Sequence, residues 1–224
     1  MGALGYLVQS TNDEHSGQTY RVKYPGSHVK VDVSYLARVP LLEPENRTCE
    51  FADPPISFPA LRLPELVAGK IKAMMERLAA RDLYDLYRLA VTVLDFLEDP
   101  LARALAVRAI CTSDPFPFVT DPVVALERFR HPAPEFIDPL FAMLRADEAP
   151  SHVVMLEAVA RWLSPLSSSS EAEREFMRLL GEDAVYRPVL LLAEYPGVLE
   201  RASMDPVMAW KVQNLRQRLE ARGT

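Results

Sequence analysis

The sequence predicts an α+β fold, in which a small sheet with two helices is followed by an all-helical C-terminal domain. Near the N-terminus, two segments of alternating apolar and polar residues are joined by Pro25-Gly26, a pair typical of turns. Residues 61–90 instead show the apolar spacing of helices. From Asp99-Pro100 onward, helical segments are separated by proline-containing turns. We therefore predict two domains, residues 1–98 and 99–224.

The first predicted elements are strands. Residues 1–19 are mainly polar and are expected to hold at most one short strand, at residues 5–9. The alternation in residues 19–24 and 28–36 predicts two strands that pair as a hairpin. Successive side chains of a strand point to opposite faces, so Asp32 lies on the face opposite three valines. It is either a solvent-exposed carboxylate or one that faces a functional site.

Residues 39–59 combine prolines and polar residues with short apolar pieces. An edge strand is expected near residues 48–51. We predict that the segment is a loop packed across the sheet, and not a disordered linker, because large apolar side chains are expected to be buried. The segment contains five of them: Leu41, Leu42, Phe51, Ile56 and Phe58.

Residues 61–90 carry most of the functional prediction. Pro64 suits the first position of a helix, because its missing N–H has no partner there, and Glu65 favours the positive end of the helix dipole. Helical spacing places six apolar residues on one face: Leu66, Val67, Ile71, Met74, Met75 and Leu78.

The two lysines of this helix have different neighbours. The residues three and four positions from Lys70 are all apolar, whereas those around Lys72 include Glu76. Lys70 is therefore predicted to emerge from the packed side and Lys72 from the solvated side. An ammonium group in apolar surroundings costs free energy unless it meets an anion. We expect Lys70 to bind a carboxylate or a phosphate.

Asp82 and Asp85 are the nearest candidate anions. They lie three residues apart on a predicted helix and so share a face. Because two carboxylates on one face repel each other, Arg81, Arg88, a lysine or a metal ion is expected to compensate their charge. Beside them runs an apolar stripe of six residues: Leu83, Leu86, Ala90, Val93, Leu94 and Leu97.

The remainder of the chain is predicted to be helical. Residues 101–110 form the first of these helices. Gly181 and Gly223 are expected to end two later ones, because glycine is common just past a helix C-terminus. Capping residues indicate four later helix starts: Asp121 with Pro122, Ser151, Ser170 with Glu173 in a capping box, and Asp205 with Pro206.

Length, charge and cysteine content limit the function. The 224 residues carry a formal net charge of −6, which argues against general, non-specific nucleic-acid binding. No apolar run reaches the roughly eighteen residues needed to cross a bilayer, and no signal-peptide pattern is present. We therefore expect a cytoplasmic protein without a membrane partner. Cys49 and Cys111 are expected to be buried thiols and not a disulfide.

The last predicted helix carries four basic residues: Lys211, Arg216, Arg218 and Arg222. A solvated helix face with ordinary ion pairs is the main interpretation of this group. A contact with RNA is the alternative.

Two parts of the sequence resemble a known family. Pro64-Glu65-Leu66 leading to Lys70, followed by Arg81-Asp82-x-x-Asp85-Leu86, is similar to the signature of the AbiEii/AbiGii-type nucleotidyltransferase toxins. Lys30-Val31-Asp32-Val33 resembles the central strand of that family with its third acidic residue. The resemblance implies a nucleotidyltransferase-like α+β core fused to a helical domain.

The resemblance also implies an activity. Members of this family act in bacterial abortive-infection and toxin–antitoxin systems. The implied reaction is the Mg²⁺-dependent transfer of a nucleotide from an NTP, in some members to tRNA, and an antitoxin is the implied partner protein.

The matching positions imply roles for five residues. Asp32 is expected to bind the metal and to accept a proton from the attacking hydroxyl. Lys70 is expected to bind a phosphate of the NTP, with Asp85 orienting it as a further catalytic residue. Arg81 and Asp82 are expected to contribute to substrate binding, and Asp82 to cap its helix or pair with Arg81. From spacing alone, Lys70 and Asp85 are equally consistent with a salt bridge that only fixes the angle between helices.

One motif of the family is not found. Its members carry an N-terminal Gly-Ser or Gly-Gly-Thr turn followed by Asp-x-Asp or Asp-x-Glu, which holds the phosphates and the first two metal ligands. Here Gly26-Ser27 is followed by Asp32 five residues after the serine. We expect that the chain is truncated, begins at a misassigned start, or is a natural remnant. The alternative function is therefore a catalytically inactive relative that acts as a binding or regulatory module.

Overall fold

The computed structural model describes residues 7–14, 17–24, 27–34, 39–51, 53–131, 140, 142, 144 and 150–222. The chain divides into two compact units, Met1–Val39 and Pro40–Thr224. The described residues of the first unit form strands, and those of the second form a strand hairpin followed by helices. The predicted α+β class, with a helical C-terminal region, is confirmed.

The first unit is a three-stranded antiparallel sheet of β1 (Leu7–Glu14), β2 (Gly17–Tyr24) and β3 (Ser27–Ser34), in that order. The predicted hairpin is confirmed, with Tyr24 opposite Ser27 and Thr19 opposite Asp32. The prediction of at most a short first strand was wrong. β1 has eight residues, because strand pairing with β2 uses backbone groups and does not require apolar side chains.

A second, two-stranded sheet follows in the part of the chain that was predicted as a loop. It consists of β4 (Glu45–Cys49) and β5 (Ile56–Ala60), which pair in antiparallel fashion. β4 overlaps the expected edge strand, whereas β5 was missed because of Pro59. A proline is tolerated there because both strands of a two-stranded sheet are edge strands.

The apolar residues of this segment divide into two groups. Leu41 and Leu42 are buried against helices. Phe51, Ile56 and Phe58 are exposed, so the prediction that they anchor a loop on a sheet was wrong. These three side chains belong to the hairpin or its turn, and neither strand packs a face into the core.

The two helices predicted before residue 99 are observed within residues 61–92. α1 (Leu63–Glu76) and α2 (Ala80–Thr92) are adjacent in space. Four of the six predicted apolar positions of α1 are fully buried: Val67, Ile71, Met74 and Met75. Leu66 and Leu78 are 44% and 52% exposed, which corrects the prediction. Leu78 lies beyond the end of α1, and Leu66 lies at the edge of the buried face.

The apolar stripe of α2 is confirmed at Leu83, Leu86 and Ala90, which are buried. Leu94 is 70% exposed, contrary to prediction. The physical reason is that α2 ends at Thr92, so helical spacing no longer directs the side chain of Leu94.

Seven further helices are described after Glu98: α3 (Pro100–Thr112), α4 (Pro122–Ala125), α5 (His152–Leu163), α6 (Glu171–Asp183), α7 (Val189–Leu192), α8 (Pro196–Ser203) and α9 (Pro206–Arg222). The main apolar core of the second unit draws residues from α1 and α2 as well as from these helices. The predicted division between residues 98 and 99 stays a prediction.

The predicted helix starts are observed. The carboxylate of Asp121 accepts a hydrogen bond from the N–H of Val123 at 2.7 Å, and Ser151 caps α5. Ser170 and Glu173 form the complete capping box, with N···O distances of 3.2 and 2.7 Å. The side chain of Asp205 accepts from the N–H of Val207 at 2.9 Å.

Gly181 does not end α6, contrary to prediction. The helix continues to Asp183 and ends at Ala184, which adopts a left-handed conformation with φ of 50°. Gly181 is instead a contact point, because a Cβ atom there would lie 2.9 Å from the Cβ of Pro117. Gly223 lies outside the described residues.

Lys211 is buried, so the prediction of a solvated basic face was wrong at this position. Its ammonium group donates to the backbone carbonyls of Ser113 and Phe116 at 2.5 and 3.4 Å, just past the C-terminus of α3. A cation is favoured there by the negative end of the helix dipole. Burial lowers the pKa of Lys211 below its ordinary value. Arg216 and Arg218 are exposed, as predicted.

The structure describes both cysteines and allows a search for membrane-spanning helices. Cys49 and Cys111 are both free thiols, of which Cys111 is buried and Cys49 partly so. Within the described ranges, no helix combines the length and apolar character needed to cross a membrane.

Candidate functional site

An open groove of about 370 Å³ lies beside α1 and α2 in the second unit. The helix α1 turns its buried face into the core, so that Lys70 lies at the edge of this face, next to Leu66. The groove is lined by seven residues of these two helices: Leu63, Leu66, Lys70, Asp85, Arg88, Leu89 and Thr92.

Lys70 and Asp85 meet in this groove. The Nζ atom of Lys70 lies 2.6 Å from Oδ2 of Asp85, so the lysine does find an anion, as its apolar neighbours predicted. The two side chains remain 42% and 38% exposed. An ammonium group has three N–H donors, and the contact with Asp85 uses one of them. The pair therefore remains accessible to a further anion from solvent.

The solvent exposure of Lys72 differs from the prediction. Its side chain is 31% exposed and forms an ion pair with Glu76, one helical turn away. Lys72 is thus no more solvated than Lys70, because neighbouring helices leave both at the margin of the packed face. The two lysines are distinguished by their partners: Lys72 pairs within its own helix, and Lys70 pairs with the next helix.

Asp82 has a different environment from Asp85. Its carboxylate is 1% exposed and accepts two hydrogen bonds from Arg77, at 2.6 Å from Nε and 2.7 Å from Nη2. The expectation that Asp82 caps its helix or pairs with Arg81 was wrong: the cap position is Ala79, and Asp82 pairs with Arg77 in the connection between α1 and α2. Arg81 is exposed. The hydrogen bonds to Asp82 raise the pKa of Arg77. Substrate binding by Arg81 and Asp82 stays a prediction.

The start of α1 is held by Glu65. Its carboxylate accepts hydrogen bonds from the N–H groups of Leu41 and Leu42, at 2.6 and 3.3 Å. Burial raises the pKa of Glu65, although these hydrogen bonds act in the opposite direction. Glu65 therefore ties the incoming segment to the first turn of α1, where the groove begins.

Asp32 lies in the middle of β3, in the first unit. Its side chain lies outside what the structure describes, and its role and its relation to Lys70 stay predictions. Among the described residues, no group of three or more His, Cys, Asp or Glu side chains is placed to share a metal ion. The carboxylate of Asp85, which faces the groove, is occupied by Lys70. Magnesium binding stays a prediction.

Several groove residues were not singled out from the sequence. Helical spacing predicts that Leu66 is buried, and no sequence motif marks Leu63, Leu89 or Thr92 as a site residue. A signal was available for two of them, because Leu89 and Thr92 lie at helical spacing from Asp85 and share its side of α2. The exposure of Leu66 follows only from the packing of the two helices.

Small antiparallel sheets and a helical region, with a lysine–carboxylate pair in an open groove of the second unit, define a mixed α+β protein. The family model described as "Nucleotidyl transferase AbiEii toxin, Type IV TA system" matches residues 5–158. The chain belongs to this AbiEii toxin family. The resemblance inferred from the sequence motifs is thereby confirmed.

A solved structure supports the same fold. The chain is similar to "MenT4, nucleotidyltransferase toxin Rv2826c from Mycobacterium tuberculosis H37Rv", with a TM-score of 0.57 and 19% sequence identity. The match covers 77% of this chain and 61% of that chain. At this identity the likeness concerns the fold alone. No curated protein matches the sequence.

Proposed function

We propose that this protein is a nucleotidyltransferase toxin that transfers a nucleotide from an NTP to an acceptor such as tRNA, with Mg²⁺. The observation that carries the proposal is the Lys70–Asp85 pair, with 2.6 Å between Nζ and Oδ2, in an open groove. Membership of the AbiEii family and the fold likeness to a nucleotidyltransferase toxin support it.

The proposed reaction is a displacement at the α-phosphorus of the NTP. A hydroxyl oxygen of the acceptor forms the new P–O bond, the bond to the pyrophosphate breaks, and the hydroxyl proton passes to a carboxylate. Enzymes accelerate such reactions mainly by positioning the reactants and neutralising phosphoryl charge. Lys70 is proposed to bind a phosphate as a point charge, and Asp85 to hold the ammonium group in place.

Asp32 is proposed as the carboxylate that accepts the proton and as a metal ligand. Arg81 and Asp82 are proposed to assist in substrate binding, Asp82 indirectly through the two hydrogen bonds that it accepts from Arg77. An antitoxin is the proposed protein partner, since the family belongs to toxin–antitoxin systems. The proposed location is the cytoplasm.

The test is transfer of a labelled nucleotide to tRNA. Purified protein is incubated with tRNA, Mg²⁺ and each labelled NTP in turn, and Lys70→Ala is expected to abolish the labelling. Lys72→Ala is the matched control, because Lys72 lies on the same helix and is also ion-paired, but does not line the groove. EDTA should remove the activity of the wild type.

The outcomes separate the two candidate functions. Equal labelling by wild type and Lys70→Ala would contradict the role of the groove. Absence of transfer to any acceptor, together with absence of NTP and Mg²⁺ binding by calorimetry, would favour the inactive binding or regulatory module.

A further inference from the structure

The groove between α1 and α2 contains three charged residues. Lys70 and Arg88 are cationic, and Asp85 is anionic. The two cations outnumber the anion, so the groove favours anionic ligands even though the whole chain carries a net charge of −6.

Arg88 is the cation of this groove whose charge is not already paired. Asp85 lies one helical turn before it, at a spacing that allows an ion pair, but the carboxylate of Asp85 is taken by Lys70. Within the described part of the chain, the guanidinium of Arg88 makes no hydrogen bond or ion pair, and the side chain is exposed. Its backbone is fixed, since Thr92 Oγ1 donates to the Arg88 carbonyl at 2.6 Å.

The remaining residues that line the groove are uncharged, and three of them are leucines. Leu63, Leu66 and Leu89 provide an apolar wall next to the charged residues. The side chain of Leu66 is 44% exposed, so it is accessible to a ligand in the groove. An anionic group next to a flat apolar group is the combination that a nucleotide presents.

We infer that Arg88 is a second phosphate-binding residue of the groove and that it sets the position of the triphosphate relative to Lys70. This inference rests on the proposed function and adds a residue to it. The planar guanidinium of Arg88 binds two phosphate oxygens at once, whereas the ammonium of Lys70 acts as a point charge. The leucine wall then contacts the nucleoside.

Calorimetry with ATP and with inorganic tripolyphosphate tests the inference. Arg88→Ala is expected to weaken the binding of both ligands by about tenfold or more, because a charge-assisted contact to phosphate is lost. Arg88→Lys should restore only part of the affinity, since it keeps the charge but not the paired donors. Leu66→Ser should weaken the binding of ATP and leave that of tripolyphosphate unchanged, because only ATP carries a nucleoside.

Arg161→Ala serves as the control, because Arg161 is exposed on α5 and does not line the groove. Its affinities should stay within about twofold of the wild type. If Arg88→Ala binds both ligands like the wild type while Lys70→Ala does not, the inference on Arg88 is wrong and the proposed function stands. If the wild type binds neither ligand and transfers no nucleotide, both are wrong.

Discussion

Asp82 and Asp85 lie one helical turn apart in α2 and have opposite surroundings. Asp82 is 1% exposed and is held by two hydrogen bonds from Arg77, whereas Asp85 is 38% exposed and meets Lys70 in the groove. Removing a buried acceptor leaves its donors without a partner, and an exposed ion pair contributes little to stability. Asp82 should therefore contribute mainly to the stability of the fold, and Asp85 mainly to the function of the groove.

Substitution of each aspartate by alanine separates these roles. Asp82→Ala is expected to lower the free energy of unfolding by about 1–3 kcal/mol, because the connection between α1 and α2 loses its anchor. Asp85→Ala should change it by less than about 1 kcal/mol but abolish nucleotide transfer. Urea unfolding followed by circular dichroism, together with the tRNA labelling assay, measures both effects. Similar stability losses for the two variants would contradict the assignment.

At the scale of elements, close packing determines where α6 meets the turn before α4. Gly181 lies within α6, and a Cβ atom at this position would lie 2.9 Å from Pro117 Cβ and 3.4 Å from the ring of Phe116. Phe116 is fully buried. The glycine is therefore required by the approach of the two elements and not by the end of the helix. Gly69 of α1, by contrast, has nothing within 4 Å of the corresponding point.

The two glycines give a matched pair of variants. Gly181→Ala is expected to lower the free energy of unfolding by about 1–3 kcal/mol, because the added methyl group overpacks the contact with Pro117. Gly69→Ala should raise it by about 0.5–1 kcal/mol, since alanine favours the helix and meets open space. Thermal and urea unfolding of both variants provide the measurement. A stabilising effect of Gly181→Ala would show that α6 can shift away from the turn.

At the scale of the whole molecule, the ion pair between Arg103 and Glu173 connects distant parts of the second unit. Arg103 of α3 donates to both carboxylate oxygens of Glu173 in α6, at 2.6 and 2.9 Å, and also to the carbonyls of Pro165 and Ser168. Burial by itself would raise the pKa of Glu173, but the hydrogen bonds from Arg103 and Ser170 outweigh it and hold the pKa below its ordinary value.

This network predicts a pH dependence of stability. Glu173 has a lower pKa in the folded state than in the unfolded chain, so the unfolded state binds more protons between the two values and stability rises with pH there. The stabilisation is complete above the unfolded pKa of about 4.3 and is lost as the pH falls through the folded pKa. Glu173→Gln should weaken this acid-induced loss, measured by urea unfolding from pH 7 down to pH 3.

A control distinguishes the network from a general effect of charge. Glu157→Gln, at an exposed position of α5, should change the free energy of unfolding at pH 7 by less than about 0.5 kcal/mol. Glu173→Gln should lower it at the same pH, because Arg103 loses its anionic partner. An unchanged acid profile in Glu173→Gln would contradict the role of the network.

The structural features that could be predicted from the sequence are those that depend on residues close to one another in the chain. Helix starts at Asp121, Ser151 and Ser170 were correct because a cap contacts N–H groups only two or three residues away. The need of Lys70 for an anion followed from the apolar residues one turn before and after it. The sequence motifs also led to the correct family.

Tertiary packing decided the features that local patterns cannot contain. Lys70 pairs with Asp85, and Arg77 with Asp82, because α2 lies alongside α1. Lys211 is buried because α9 packs against the end of α3. The sequence by itself determined the helix starts marked by capping residues, the family, and the requirement of Lys70 for an anionic partner. Only the tertiary structure decided which group pairs with each charged side chain, because the paired residues are separated along the chain and become neighbours through packing.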